Sequence, residues 1–464
     1  MHPEDKTIHI VGGGLAGSEC ALQLADFGHE VVLYEMRSAT MTPAHKTGNL
    51  AELVCSNSFG TMNPISAPGQ LKWEAEKLGS HILATAKAAQ VPAGQALGID
   101  REIFARAITE KIKNHPRITL KTDVIKSLSD IPRPAVIATG PLTHPDLARE
   151  LQEHFGSEFL YFFDAIAPII DADSIDETKT WRADRYDKGT PDYVNCPLNE
   201  EQYFTLVREI ALAKKIEPKE FEKTQYFEGC MPVEAIIERG EMTLAFGPMK
   251  PRGLKDPRTG REPFAVVQLR QENKEATAYN MVGFQTKMAY GEQVRIFRTI
   301  PGLENAEFLK LGSIHRNLFI HTPKCLRSDL SSPKDPFLFF AGQITGVEGY
   351  FESTCIGLLV AHALDQKLRG ELHTPPPRQT ALGSLLNAIT EYKEEFQPTN
   401  INMGLFPGVA GRIKKDQKKE MQVQSARLGL ESWIERVLKI PEFNGKEVGN
   451  ASTKNNAFIL PERH

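Results

Sequence analysis

Ile8-His9-Ile10-Val11-Gly12-Gly13-Gly14-Leu15-Ala16-Gly17-Ser18-Glu19 opens the stretch that decides the fold, and Val31-Val32-Leu33-Tyr34-Glu35 closes it. Between them runs a helical segment, Ser18 to Phe27, ended by Gly28. The order predicts strand, glycine turn, helix, strand and acid, the first unit of a Rossmann-like α/β sheet. Gly12 suits the tight turn. Gly14 lets backbone approach a pyrophosphate, and Gly17 allows close packing of helix on strand. Gly13, Leu15 and Ala16 complete the turn, whose first helical amides point at the phosphates. Glu35 is placed to accept from a ribose hydroxyl, which favours FAD or NAD over a 2′-phosphorylated nucleotide. The fingerprint does not choose between those two.

The chain has 464 residues, 41% hydrophobic and 25% charged, as expected of a globular enzyme of two or three domains of ~150 residues each. With a net charge of −4, any nucleic-acid site must be a local patch. No signal peptide or long apolar span is visible, so a cytoplasmic protein without a membrane segment is expected. The cysteines, Cys20, Cys55, Cys196, Cys230, Cys325 and Cys355, include no CxxC pair. This argues against a zinc ribbon or a dithiol–flavin reductase, and no metal is expected.

Met36-Arg37 follows the acid, and Arg37 suits a contact to phosphate or adenine and equally a place in a solvated surface loop. A loop through Met41–Thr47 comes next, then Glu52-Leu53-Val54-Cys55-Ser56-Asn57-Ser58-Phe59-Gly60. The latter suits a helix start or a phosphate-binding turn. By itself it leaves Cys55 open between a reactive thiol and an ordinary small apolar residue. Gln70 to Gln90 reads as one helix, and Ile103 to Lys113 as another, capped by Asp100. Ile118–Leu120 reads as a strand. Ala135–Ala138 is a strand ending at Thr139-Gly140-Pro141, where flavin folds bring backbone under the pyrophosphate.

From about Pro145 the periodicity weakens and turn signals multiply, so residues 145–331 are read as an inserted α+β domain. It carries a basic run through Lys250, Arg252, Lys255, Arg258, Arg261, Arg270, Lys287, Arg295 and Arg298, interleaved with Tyr279, Phe284, Tyr290 and Phe297. That pattern suits RNA, where cations neutralise phosphates and aromatic rings stack bases. It equally suits a solvated basic face. Phe337–Ala341 is a late strand, followed by Gly342-Gln343 and Gly349-Tyr350 and then a helix, Phe351–Leu368. Such a late strand–turn–helix is where two-part flavoproteins contact the ribityl chain and isoalloxazine. The cofactor domain is therefore read as split, 1–144 and 332–445 (the latter with C-terminal helices), and the cofactor as FAD. Residues 446–464 are expected to be poorly ordered.

Several segments together resemble one family, the folate- and FAD-dependent tRNA uridine-54 methyltransferases (TrmFO, formerly Gid). They are V-G-G-G-L-A-G-S-E at Val11–Glu19, Y-E-M-R at Tyr34–Arg37, T-P-A-H-K-T at Thr42–Thr47 and A-E-L-V-C-S-N-S at Ala51–Ser58. N-C-P-L at Asn195–Leu198, F-E-G-C-M-P-V-E at Phe227–Glu234 and T-L-A-F-G-P-M-K-P at Thr243–Pro251 continue the series. I-P-G-L-E-N-A-E-F at Ile300–Phe308 and A-G-Q-I-T-G-V-E-G-Y at Ala341–Tyr350 complete it. The chain departs from the family pattern at Thr399, Ile401 and Met403, and at Lys287–Tyr290.

The resemblance implies methylation of uracil C5 in the tRNA T arm. The carbon comes from 5,10-methylenetetrahydrofolate, the electrons from FAD re-reduced by NADH or NADPH, and no obligate protein partner is implied. Uracil C5 becomes nucleophilic once a thiolate adds at C6. By resemblance Cys230 is that nucleophile and Cys55 the second catalytic cysteine, near the isoalloxazine. Lys250, Arg252, Lys255 and Arg295 are the candidate tRNA contacts. Rival readings are a flavin-dependent wobble-uridine modifying enzyme, which F-E-G-C-M-P disfavours, a small-molecule FAD oxidoreductase, and a non-catalytic FAD-binding partner.

Overall fold

The computed structural model describes residues 7–438 apart from 43, 157–158, 166, 188–189, 217–230, 395 and 410–413. The architecture is α/β. Its first sheet is parallel throughout, in the spatial order Leu338–Phe340, Ala135–Ile137, Ile8–Val11, Val31–Glu35, Ile118–Thr122. Ile8 pairs with Val31 and His9 with Ala135, so the fingerprint strand lies at the centre. A parallel sheet sends every strand's C-terminal end to one edge. The turns at Gly12–Gly17, Thr139–Leu142 and Gly342–Thr345 therefore converge there, although the last comes from far along the chain.

Helix Leu15–Asp26 packs on helix Tyr350–Leu368, the latter buried almost all round, as an apolar helix in a core must be. Glu19, fully buried in the first of these, accepts from the Ser80 hydroxyl and the His81 and Ile82 amides, tying a further helix to it. That further helix corrects one expectation. Gln70–Gln90 is not continuous but two helices, Ala67–Lys77 and His81–Ala88. Gly79 turns the chain at φ +71°, and Ser80 caps the second helix by accepting from the Leu83 amide. Asp100 caps helix Arg101–Lys113 through the Glu102 and Ile103 amides.

The second sheet is antiparallel, in the order Trp181–Arg182, Tyr193–Leu198, Ala265–Gln271, Ala278–Met281, Ile169–Asp171, Phe308–Lys310. Tyr203, Leu206 and Ile210 of helix Glu200–Leu212, with Ile296 and Phe297 of helix Tyr290–Phe297, form a core separate from the first. Strands Phe159–Ala165 and Ile314–Ile320 pair antiparallel and carry the chain out to this unit and back. The change of core falls at this ribbon, later than the break in sequence character at Pro145. Leu147 and Leu151 of helix Pro145–Phe155 still pack into the first core, and the second begins at Ile170. Residues 446–464 lie outside the described residues. Among those described, no helix is long and apolar enough to cross a membrane.

Candidate active site

A cleft opens at the edge where the three turns meet. Gly12, Gly14, Leu15, Ala16, Glu35, Arg37, Gly140, Gly342, Gln343 and Tyr350 line it. Gly13, Gly17 and Gly349 do not, and their roles are steric or local. A Cβ on Gly17 would overlap the Gly12 carbonyl oxygen, and one on Gly12 would sit 2.5 Å from the Ala138 oxygen. At Gly14 a Cβ would meet no protein atom within 4 Å. The bareness of Gly14 therefore serves something that enters the cleft, while Gly17 serves the packing of the protein itself.

Glu35 is buried at 6% exposure, and its oxygens accept from the Gly13 amide (2.9 Å), the Arg37 amide (2.9 Å) and Arg37 Nε and Nη2 (2.9 and 2.8 Å). Burial pushes this carboxyl up, but the Arg37 hydrogen bonds and charge, with the Gly13 amide, outweigh it and hold it below the usual range. The carboxylate's lone pairs are thus engaged within the protein. The donor left over is Arg37 Nη1, buried and without a hydrogen-bond partner. An open cradle at Gly14 and a buried guanidinium nitrogen that makes no hydrogen bond among the described residues and stands 3.9 Å from a Glu52 oxygen fit the pyrophosphate and adenosine ribose of a dinucleotide. His45, at the cleft wall, is pushed down to about 4 by burial and then by Arg37, so it is neutral near pH 7.

The loop 53–57 ends the cleft, and residues from distant parts of the chain hold it. The Tyr350 hydroxyl oxygen accepts from the Cys55 amide (2.6 Å) and the Ser56 amide (3.2 Å). Burial and then the charge of Cys55 push this phenol up, so the hydroxyl keeps its proton. Arg101 donates from Nη1 to the Leu53 carbonyl (2.7 Å) and from Nη2 to that of Cys55 (3.3 Å). It also donates to both oxygens of Glu272, at the end of the second sheet's Ala265–Gln271 strand (2.6 and 3.2 Å). Asn57 Nδ2 donates to Ile99, Gln271 and Glu272 carbonyls, and its Oδ1 accepts from Arg270 Nε. Lys310 Nζ donates to the Val54 carbonyl (3.1 Å). Cys55 is half-buried, while Cys20, Cys196, Cys325 and Cys355 are buried. Among the described cysteines, it alone is partly exposed, and its backbone amide is bound by Tyr350, which lines the cleft.

Residues 7–372 match the family model described as glucose inhibited division protein A. The methylenetetrahydrofolate–tRNA-(uracil-5-)-methyltransferase TrmFO of Bdellovibrio bacteriovorus is 68% identical over 433 residues, covering 93% of this chain and 98% of that protein. The protein of the same name from Aquifex aeolicus is 51% identical over 434 residues, covering 93% and 97%. The chain belongs to the TrmFO family. Among solved structures, Aquifex aeolicus GidA in its form II crystal superimposes with a TM-score of 0.64 at 14% identity, over 92% of this chain and 73% of that one. At that identity the likeness is one of fold.

Of the two cysteines that resemblance to the TrmFO family singles out, Cys55 lies next to the cleft-lining Val54 and is held by the cleft-lining Tyr350, and Cys230 lies outside the described residues. Lys250, Arg252 and Lys255 are exposed on the second unit. Arg295 pairs with Glu209 and Glu292. The basic run is not one face. Arg258 pairs with Asp256, Arg298 donates to the Ala306 carbonyl, and Arg270 is buried toward Cys55. The interleaved aromatics also separate. Tyr279 on a strand, Phe284 in the loop after it and Phe297 on a helix all point into the second core, and only Tyr290 of the four is exposed, at 55%. Sequence reasoning did not find Arg101, Glu272 or Lys310. Each stands far along the chain from the loop it holds and carries no local signature.

Proposed function

We propose that this chain methylates C5 of uridine in tRNA, with 5,10-methylenetetrahydrofolate as carbon donor, FAD as the immediate reductant and NADH or NADPH as the source of electrons. The observation that carries the reading is Cys55 held beside the glycine-lined cleft by Tyr350, a cleft-lining residue of the late helix. When bound, the flavin supplies the electron pair that turns the transferred one-carbon unit into a methyl group. The Gly12–Gly17 turn receives the pyrophosphate, Arg37 Nη1 the adenosine end, and Gly342 and Gln343 the stretch toward the reactive ring.

The chain's own chemistry is thiol chemistry. Cys230 adds to uracil C6, which places negative charge on the ring and makes C5 the nucleophile. C5 then bonds to the one-carbon unit as that carbon's C–N bond to its carrier breaks, and loss of the C5 proton and of the thiolate restores the uracil C5–C6 double bond with its new substituent. Cys55, at the flavin end, handles the carried carbon or the C5 proton. The T-arm uridine at position 54 is the target, reached by drawing the base out of the folded loop. Lys250, Arg252 and Lys255 offer exposed charge to the phosphates, and Arg295 joins them by exchanging a carboxylate partner for one.

The test is a covalent trap. FAD-loaded protein is incubated with a T-arm RNA carrying 5-fluorouridine at the target, methylenetetrahydrofolate and NADH, and resolved on denaturing gels. The expected result is a protein–RNA band in the parent and in Cys55→Ala that vanishes in Cys230→Ala. A band that survives Cys230→Ala but needs Cys55 reverses the two roles. Absence of any band, with no RNA binding and FAD retained, overturns the reading.

A further inference from the structure

Three cations gather around the loop 53–57, and they are not equivalent. Arg101 has its carboxylate, Glu272, in a two-pronged pair. Arg270 and Lys310 have none: among the described residues neither forms an ion pair. Arg270 is only 9% exposed, its Nε donates to the neutral Asn57 Oδ1 (3.0 Å), and among the described residues its terminal guanidinium nitrogens make no hydrogen bond, although the Glu272 carboxylate, paired with Arg101, acts on it from a distance. Lys310 is half-buried at the sheet edge, its Nζ committed to one carbonyl, that of Val54. Cys55 lies between Val54 and Asn57, so the two unpaired cations flank it from the side of the second sheet. Both lie close enough to feel its charge. Burial, then Arg101 and Lys46, push the Lys310 ammonium down to about 8, against the weaker opposing charges of Cys55 and Glu52.

A buried guanidinium without a counter-ion is costly to a fold and persists where a ligand completes it. The geometry points to an oxyanion-binding site formed by Arg270 and Lys310 beside Cys55, and to a carboxylate of the folate donor's glutamyl tail as its occupant. This rests on the function proposed above. Two features favour the carboxylate over an RNA phosphate. The guanidinium fork left open on Arg270 matches a planar two-oxygen group. With Arg270 nine-tenths buried, the position lacks the open track of charge that a polynucleotide backbone needs.

The experiment titrates FAD-loaded protein with p-aminobenzoyl-L-glutamate, with p-aminobenzoate, and with a T-arm RNA hairpin, for the parent, Arg270→Gln and Lys310→Gln. The parent is expected to bind the glutamyl probe at least tenfold more tightly than p-aminobenzoate. Arg270→Gln is expected to abolish that preference and Lys310→Gln to reduce it, with RNA affinity unchanged in both. The melting temperature of Arg270→Gln without ligand is expected to equal or exceed the parent's, because an uncompensated buried charge has been removed. No preference for the glutamyl probe in the parent overturns the site. So does a loss of RNA affinity in Arg270→Gln, which assigns the cations to phosphate. A lowered melting temperature with the preference intact makes Arg270 structural and also overturns it. Methyl transfer by the parent is run alongside. If the parent methylates tRNA while the site fails, the function stands and only the site is lost.

Discussion

The glycine turn and the loop 53–57 face the same cleft but are built in opposite ways. The turn is made by neighbours. Gly12 to Gly17 are contiguous, and the carboxylate that steadies them, Glu35, is 22 residues from the Gly13 amide it accepts from. The loop is made by strangers. Its partners lie 46 residues away at Arg101, 213 at Arg270, 256 at Lys310 and 295 at Tyr350. A cofactor cradle that rests on local steric fit forms with the first strands of its sheet. The thiol loop takes shape only when both cores and the late helix are in place. The difference predicts that the two regions fail separately.

Gly17→Val should do the most damage. Its side chain would overlap the Gly12 carbonyl, which backbone on both sides holds in place, so a stability loss of at least ~3 kcal/mol is expected. Urea unfolding and the yellow colour of the purified protein report it. A stable, flavin-loaded variant would mean that helix and turn do not pack as described. Next comes Glu272→Gln, which leaves Arg101 buried without its counter-ion at a cost of about 3 kcal/mol. Hydrogen exchange should speed up over 53–57 while flavin is retained. If flavin is lost as well, the two regions are not separable.

Gly14→Ala sharpens the contrast from the other side. The added methyl meets no protein atom, so stability should stay within ~0.5 kcal/mol. Flavin affinity should fall about tenfold, equivalent to ~1.4 kcal/mol. Equal losses at both quantities would show that the space belongs to the protein rather than to the ligand. The smallest effect is one of pH. His45 titrates at about 4 in the folded chain, below its ordinary 6.5. The unfolded chain therefore takes up the proton first, and stability falls as pH drops from 6.5 toward about 4, with no contribution above that window. His45→Asn should flatten this slope in melting temperatures taken at pH 7, 6 and 5.

The same division explains what the sequence made legible. The strand–turn–helix–strand unit and its acid were readable because their periods and spacings are local. The late strand was readable because its own turn and helix follow it. Helix Gln70–Gln90 was read as one because its apolar spacing continues across Gly79-Ser80, although a left-handed glycine followed by a capping serine marks the break. Tyr279, Phe284 and Phe297 were read with the cations beside them, since a period of basic and aromatic residues does not say which face of a strand is inward. Nothing near Cys55 announces Arg101 or Lys310, because an ion pair or a lysine–carbonyl hydrogen bond between distant segments leaves no pattern in either one.

The position of strand Leu338–Phe340 also bears on how the chain is made. It pairs with Ala135–Ile137 and covers what is otherwise an open edge of the parallel sheet. A ribosome adding 5–20 residues per second needs on the order of 10 to 40 s to travel the ~200 residues between those partners. During that interval the second unit can fold at the end of its ribbon, while the first waits with one strand edge bare and with Gly342, Gln343 and Tyr350 not yet synthesised. The dinucleotide is thus captured late in the life of the nascent chain, and the bare edge is the place where a chaperone or a premature aggregate would meet it.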